Sequence, residues 1–381
     1  MESPKTITVS GYYGYGNLGD EAILDSLTTS LRDRFGPEEL EIVVLSNDPE
    51  RTESDHGLTA VNRWNPAAVL RVLKNSDLFI SGGGGLLQDT TSSPSLWYYL
   101  ILIYLSRIIS VPTYVLGQGI GPITKKYNEL LLRGAIAGVE GFLVRDDRSA
   151  NFLRSCGVKD DKLIIGDDLA FLLPRNGNSR DKYMKSPEKE IVAAVLRSDV
   201  KGRSDVLRAV SSGLDMLHEK FDTNVVLFST NSLSDDDMSN DLQASTEAPC
   251  KIIDVDHLSP TQLVQMMEGL DLVIAGRLHA LIFSIISNTP VQGISYDPKM
   301  DYLVENLNEL EDGADFSIWK PDNLINATDY LADLESIYRK KDELRESASR
   351  LNDEISRRAE YKLDKALDWI EEELTGEQQR E

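Results

Sequence analysis

Short apolar runs recur through the first half of the chain, and several stop abruptly at glycine or arginine where a helical period begins. The runs at 6–10, 41–46, 78–81, 113–116, 141–144 and 163–165 read as strands. Helical periods fill the intervals at 21–35, 66–74, 96–109, 127–139 and 149–156. A strand followed by a crossover helix must pair parallel with the next strand, so the alternation predicts an α/β fold with a doubly wound parallel sheet.

The same rhythm restarts after a polar, turn-rich stretch at 174–189, PRNGNSRDKYMKSPEK, which reads as an interdomain linker. Strands are predicted at 191–196, 224–229, 270–275 and 290–295, with helices at 206–221 and 260–267 and a buried one between the last two strands. The stretch 231–249 is acidic and serine-rich with little apolar content, and is expected to be a mobile loop. From 326 a helical tail is expected, with an apolar stripe through Leu331, Leu334, Ile337, Tyr338, Leu344, Leu351 and Ile355 that should pack on the domains. A chain of 381 residues accommodates two domains of ordinary size. The expected division is 1–175, 190–325 and a tail at 326–381.

Charge narrows the partners. With 63 acidic against 40 basic residues the net charge is −23, which repels nucleic acid and anionic surfaces but leaves room for a small anion in a locally basic pocket. Two cysteines, Cys156 and Cys250, form neither a disulfide framework nor a CxxC metal site. The first residues, MESPKTITVSGYYG, lack the charged and apolar regions of a secretory signal, so a cytoplasmic location is expected. The most apolar stretch, LWYYLILIYL at 96–105, is too short for a bilayer, which needs about 20 residues. A buried helix is the default reading, and a membrane-surface contact the alternative.

Three glycine-bearing segments follow strands. GYYGYGNLGDE at 11–21 precedes a helix, where Asn17 and Asp20 either cap that helix or face substrate hydroxyls. Its Gly14, Gly16 and Gly19 resemble a dinucleotide fingerprint by spacing, but Ser46 and Asn47, not an acid, end the second strand. SGGGGLLQD at 81–89 is more unusual: the consecutive glycines, Gly83 and Gly84 among them, predict close approach of a ligand or of another backbone. Gln88 and Asp89 would then read a sugar or a loop. GQGIGP at 117–122, with Gln118, repeats the logic.

The richest segment is AGRLHALIFSIISNTPVQGISYDPK at 275–299. It places Arg277 and His279 at the C-terminal end of one predicted strand and Lys299 after the next, where parallel sheets hold ligands. Arg277 and His279, two apart in a segment read as non-helical, should point to one side. Arg145 (with Arg148 three residues on) and Arg197 also end strands, and Arg63 in VNRWNP is a further candidate. Arg145 has a plainer reading, an ion pair with Asp146 or Asp147. His56, His218 and His257 lack such company and read as structural. No HExxH, Cys/His cluster or Ser-His-Asp order is visible.

The segments SGGGGLLQDTTSSPSLWYYL, GQGIGP, VRDDRS and GRLHA followed by PVQGISYDPK resemble the polysaccharide pyruvyl transferases, and among them the CsaB-like group of cell-wall enzymes. The resemblance runs from about Val9 to Lys299. It implies two Rossmann-like domains in a GT-B-like arrangement, facing across a cleft that holds the active site. It implies transfer of pyruvate from phosphoenolpyruvate to a sugar, giving a 4,6-ketal and phosphate. In the CsaB-like group the sugar is an N-acetylmannosamine of a lipid-linked cell-wall precursor, and the ketal later anchors surface-layer proteins. By motif, Arg145, Arg277, His279 and Lys299 are similar to the donor-binding and catalytic positions, with Arg63 a further one. Neither a metal nor an organic cofactor is expected, and phosphoenolpyruvate is a substrate.

On that reading the cations neutralise carboxylate and phosphate, and His279 is the acid. Asp20 and Asp89 are candidate bases. A lipid-linked acceptor would favour a peripheral contact at the inner face of the plasma membrane; a homo-oligomer is left open. The alternative is a nucleotide-sugar-dependent GT-B glycosyltransferase, which would grip a ribose with an acid. No E-x7-E pattern follows Gly276, since Glu305 and Glu309 are spaced differently.

Overall fold

The computed structural model describes residues 4–175, 189–198, 203–310, 316–325 and 327–376. Most of the expected linker, 176–188, lies outside the described residues. The chain divides into two compact units, Met1–Leu172 with Ser356–Glu381, and Leu173–Ile355.

The first unit runs β1 (Lys5–Ser10), α1 (Leu18–Phe35), β2 (Leu40–Ser46), α2 (Pro49–His56), β3 (Thr59–Asn62), α3 (Pro66–Lys74) and β4 (Leu78–Leu87). It continues through α4 (Ser93–Ile108), β5 (Thr113–Ile120), α5 (Lys126–Ile136), β6 (Gly141–Val144), α6 (Asp147–Ser155) and β7 (Leu163–Ile165). The seven strands pair parallel in the order β3-β2-β1-β4-β5-β6-β7. The strand order reverses between β1 and β4, and that switch point is where such sheets bind ligands. Side chains start the helices as local chemistry dictates. Asn17, Asn65, Ser92 and Asp146 each accept an amide of the first turn. Proline occupies the first turn of α2, α3 and α4, where its missing N–H is harmless.

The second and third glycine segments are not loops, as their composition suggested. The run at 82–85 lies inside β4, paired to β5 through Gly82 with Leu116 and Gly84 with Gln118. The third glycine segment likewise supplies the end of β5. Glycine is required at Gly83 and Gly84 because both have positive φ, 44° and 77°. The space is also already taken. A Cβ would stand 2.1 Å from Ile23 Cγ2 at Gly83 and 2.4 Å from Asp20 Oδ1 at Gly84. The N-terminal end of α1 therefore presses on a bare strand.

The second unit repeats the plan: β8 (Ile191–Val195), α7 (Arg203–Phe221), β9 (Asn224–Leu227), α8 (Ser232–Ser245), β10 (Cys250–Ile252), α9 (Pro260–Met267) and β11 (Leu272–Ala275). Then come α10 (Leu278–Ile286), β12 (Val291–Ile294), α11 (Pro298–Leu310), β13 (Ser317–Trp319), α12 (Ala327–Arg339) and α13 (Lys341–Thr375). Its six parallel strands stand in the order β10-β9-β8-β11-β12-β13, with the switch point between β8 and β11. Each unit is thus Rossmann-like, and the α/β expectation holds in both.

One further expectation is corrected here. The stretch read as a mobile acidic loop is largely α8, because Met238 and Leu242, four apart, are buried in the core of the second unit and anchor one face. The tail is helical as expected, in two helices, and its apolar stripe packs. Tyr330, Leu334, Ile337 and Tyr338 of α12 and Leu344 of α13 enter the core of the second unit. The later part of α13 belongs to the first unit. There Arg34 meets Asp364 and Asp368, each at 2.8 Å, and Tyr114 donates to the Trp369 carbonyl at 3.2 Å.

Candidate active site

In the second unit, Arg197, Arg277 and Lys299 follow β8, β11 and β12, which are neighbouring strands. Adjacent strand ends are about 5 Å apart, so the segments that carry the three cations leave the sheet along one rim at the switch point. The Gly276 amide donates to the Val195 carbonyl at 2.8 Å and ties β11 to β8. Gly276 is confined: a Cβ there would lie 3.1 Å from the Tyr296 ring and 3.2 Å from Leu196 Cα.

Arg277 holds the N-cap position of α10 in extended backbone, φ −127° and ψ 142°, with no side-chain cap. His279 falls in the first turn of that helix, so the segment is helical from Leu278 and the expected non-helical alternation does not apply. The imidazole stands 6.2 Å from the Phe283 ring, one turn on. Lys299 is the second residue of α11, not a loop residue, and its amide donates to Asp297 Oδ1 at 3.0 Å.

Arg277 forms a two-armed contact with Asp235: Nη2 donates to Oδ1 at 2.7 Å, and Nε donates to Oδ2. Oδ1 also accepts the Ser198 amide at 3.2 Å, beside Arg197. The Asp235 side chain is 1 % exposed and that of Arg277 18 %. A carboxylate buried in α8 therefore fixes the plane of a partly open guanidinium and joins it to the segment after β8. Sequence reasoning missed Asp235 because it lay in the presumed loop. Asp235, Met238 and Leu242 share one helical face, and that spacing was the available signal. Tyr296 was missed as well. Its hydroxyl is buried without a hydrogen-bond partner among the described residues, and burial raises its pKa, opposed by the Arg197 charge.

The first unit carries the other candidates. Arg63, directly after β3, is 4 % exposed. Its Nη1 donates to the Gly11 carbonyl at 2.7 Å. Its guanidinium lies over Tyr98 at 4.3 Å, with Tyr99, Tyr15 and Trp64 within 5.6 Å. Nε is buried without a partner, and no carboxylate pairs with Arg63 among the described residues. A buried cation set against aromatic faces and one carbonyl, with no carboxylate to balance its charge, is suited to an anion.

Arg145 differs. Its Nη1 is 2.7 Å from Asp168 Oδ2, with both side chains almost fully buried, while Asp146 is at 3.9 Å. The principal partner is thus Asp168, not the sequence neighbours. The guanidinium covers Gly119, where a Cβ would be 2.7 Å from Nε. Arg148 is exposed on α6.

The remaining first-unit candidates have structural work. Asn17 caps α1 and donates to Asp20. Asp20 lies against Gly84. Gln88 accepts the Thr90 and Thr91 amides at 2.7 and 3.0 Å in a local turn. Gln118 is fully buried and donates to Ser81 Oγ at 2.8 Å. Asp89 accepts from Thr124 N and Oγ1, Lys125 N and Asn128 Nδ2, all within 3.0 Å. Burial raises its pKa, but those bonds outweigh it and hold the carboxyl at about 2. So acidic a group is a poor base near neutral pH, contrary to its expected role. His56 bridges Asp25 and Glu21, at 2.5 and 3.1 Å, and Glu21 accepts the Gly14 amide at 2.9 Å. That network fixes the first loop.

A sequence model of the polysaccharide pyruvyl transferases matches residues 17–298. The chain belongs to that family. The matched span begins at Asn17, inside the first glycine segment, takes in the later motifs through GRLHA and stops one residue before Lys299. No curated protein matches the chain. Among solved structures, the Anabaena Alr3699/HepE protein in complex with UDP and glucose is similar at 13 % identity and a TM-score of 0.63, over 96 % of this chain and 99 % of that one. A putative UDP-N-acetylglucosamine 2-epimerase from Listeria monocytogenes is similar at 11 % identity and a TM-score of 0.63, over 98 % and 97 %. A glycosyltransferase from Rickettsia africae follows at 12 % identity and 0.55, over 98 % and 99 %. At such identities the likeness is one of fold, that of glycosyltransferases and epimerases with two Rossmann-like domains.

Proposed function

We propose that this family member transfers pyruvate from phosphoenolpyruvate to two hydroxyls of a sugar, forming a cyclic ketal and releasing phosphate. The observation that carries the reading is Arg277, aligned by buried Asp235 immediately before His279 on a rim shared with Arg197 and Lys299. Phosphoenolpyruvate bears a carboxylate and a phosphate, and a planar guanidinium with nearby cations neutralises both.

In the first step a sugar hydroxyl loses its proton to a base and its oxygen bonds to C2 of the enol phosphate, while the C2–C3 double bond opens and C3 gains a proton. In the second, a neighbouring hydroxyl bonds to C2, the C2–O bond to phosphate breaks, and the hydroxyl proton is lost. His279 supplies a proton to C3 or to the departing phosphate, the work of a positioned general acid. With Asp89 committed to α5, Asp20 is the surviving candidate base. The acceptor is an N-acetylmannosamine of a lipid-linked wall precursor, as in the CsaB-like group, and Arg63 is a further anion contact.

The test is phosphate release from phosphoenolpyruvate in the presence of a mannosaminyl acceptor. The competing reading, a nucleotide-sugar glycosyltransferase, draws on neighbours captured with UDP. Thermal shift separates the two: stabilisation by UDP and not by phosphoenolpyruvate would favour the rival.

A further inference from the structure

The −23 charge of the chain hides a local inversion. Between Ser93 and Ala137 there are four basic residues, Arg107, Lys125, Lys126 and Arg133, and one acid, Glu129. Glu129 is held by Arg133 at 2.7 Å. This span contains α4 and α5, which lie side by side and run the same way. Trp97 is 6.5 Å from Tyr127, Tyr104 donates to the Leu131 carbonyl at 3.1 Å, and Arg107 donates to the Gly134 carbonyl at 3.4 Å.

The two helices also gather exposed apolar side chains. On α4, Ile101 is 61 % exposed, Ile108 76 % and Trp97 39 %; on α5, Leu130 is 72 %, Tyr127 52 % and Leu131 42 %. Six of the nine large hydrophobics exposed among the described residues thus sit on one pair of adjacent helices. The opposite face of α4 is core, with Leu96, Tyr99, Leu100, Leu102 and Ile103 buried. The helix is therefore core on one face, as the default reading has it, and open on the other. Such clustering is unusual on a free surface.

We propose that the α4–α5 face is a membrane-surface site that seats on anionic lipid headgroups, with its aromatic and aliphatic side chains entering the boundary. Charge chooses the occupant. An anionic lipid surface complements the basic rim, whereas two copies meeting through this face would oppose like charges. The mix of Trp, Tyr and aliphatics beside Lys and Arg is that of an interfacial element. Among the described residues no helix is long and apolar enough to cross a membrane, so the contact is one of lying on the surface. The site does not depend on the reaction assigned above.

Flotation of the full chain with phosphatidylglycerol-containing vesicles and with pure phosphatidylcholine vesicles tests the proposal. The expected result is co-flotation with the anionic vesicles, at least tenfold weaker with the neutral ones and weakened by salt. Ile101→Glu with Leu130→Glu, and separately Lys125→Glu with Lys126→Glu, should each lower flotation at least tenfold while circular dichroism and melting stay unchanged. Because the substituted side chains are exposed, folding should survive; the lysine pair serves if the apolar pair does not fold. Absence of flotation with anionic vesicles, or flotation equal to wild type in the folded variants, overturns the proposal. A wild-type dimer in light scattering that Ile101→Glu dissociates would also overturn it, assigning the face to self-association.

Discussion

Asp235 Oδ1 stands 2.7 Å from Arg277 Nη2 and accepts the Ser198 amide at 3.2 Å, so one buried carboxylate orients the guanidinium and fastens the neighbouring segment. Asp235→Ala removes both functions, whereas Asp235→Asn keeps the shape and the amide contact. Calorimetry with phosphoenolpyruvate should show affinity reduced about tenfold or more in the alanine variant, in line with the loss of an orienting outer partner. The asparagine variant should fall between alanine and wild type. Wild-type affinity in both would remove Asp235 from the site.

His279→Ala should lower turnover about a hundredfold or more, the usual size of a general-acid contribution, with donor affinity kept within a few-fold. The split between turnover and binding is the informative readout. A variant that loses affinity with turnover intact would make His279 a binding group instead.

Arg63 pairs with no carboxylate among the described residues, so its removal strands no partner charge. The Gly11 carbonyl still accepts the Tyr99 hydroxyl at 3.3 Å. Arg63→Met should therefore melt within a few degrees of wild type and yet lose roughly tenfold or more of activity. Equal activity would leave the aromatic enclosure a structural feature.

The strand-helix rhythm disclosed both Rossmann-like units because each buried strand is a short apolar run that sequence alone displays. Arg277, His279 and Lys299 were legible for the same reason, since they follow such runs. What escaped was long-range. Asp235 and Asp168 are partners brought from other elements, and composition misled at 231–249, where two apolar residues per face suffice to bury a helix. The glycines of β4 announced a close approach but not its source, which is α1. The short strands β3, β10 and β13 passed unnoticed because TAVN, CKI and SIW mix polar with apolar residues, whereas the equally short LII of β7 is a pure apolar run.

His56 gives a pH dependence with a definite sign. Burial lowers its pKa, but the bonds to Asp25 and Glu21 outweigh that and raise it to about 10. The folded state thus binds this proton more tightly than the unfolded chain, whose value is about 6.5. The stabilisation is whole below about pH 6.5 and is lost as pH rises towards about 10, with a slope of up to ~1.4 kcal/mol per pH unit. Urea unfolding of wild type against His56→Gln should converge as pH climbs through that window. Parallel curves would mean that the imidazole is neutral in the fold.

The measurement closest to the central claim is made on the full chain with phosphoenolpyruvate and a mannosaminyl acceptor, following phosphate by assay and the acceptor by NMR. Phosphate should appear in step with a methyl singlet on a ketal carbon, and both should vanish in His279→Ala. Sugar transfer from a UDP-sugar, with phosphoenolpyruvate left untouched, would contradict the assignment.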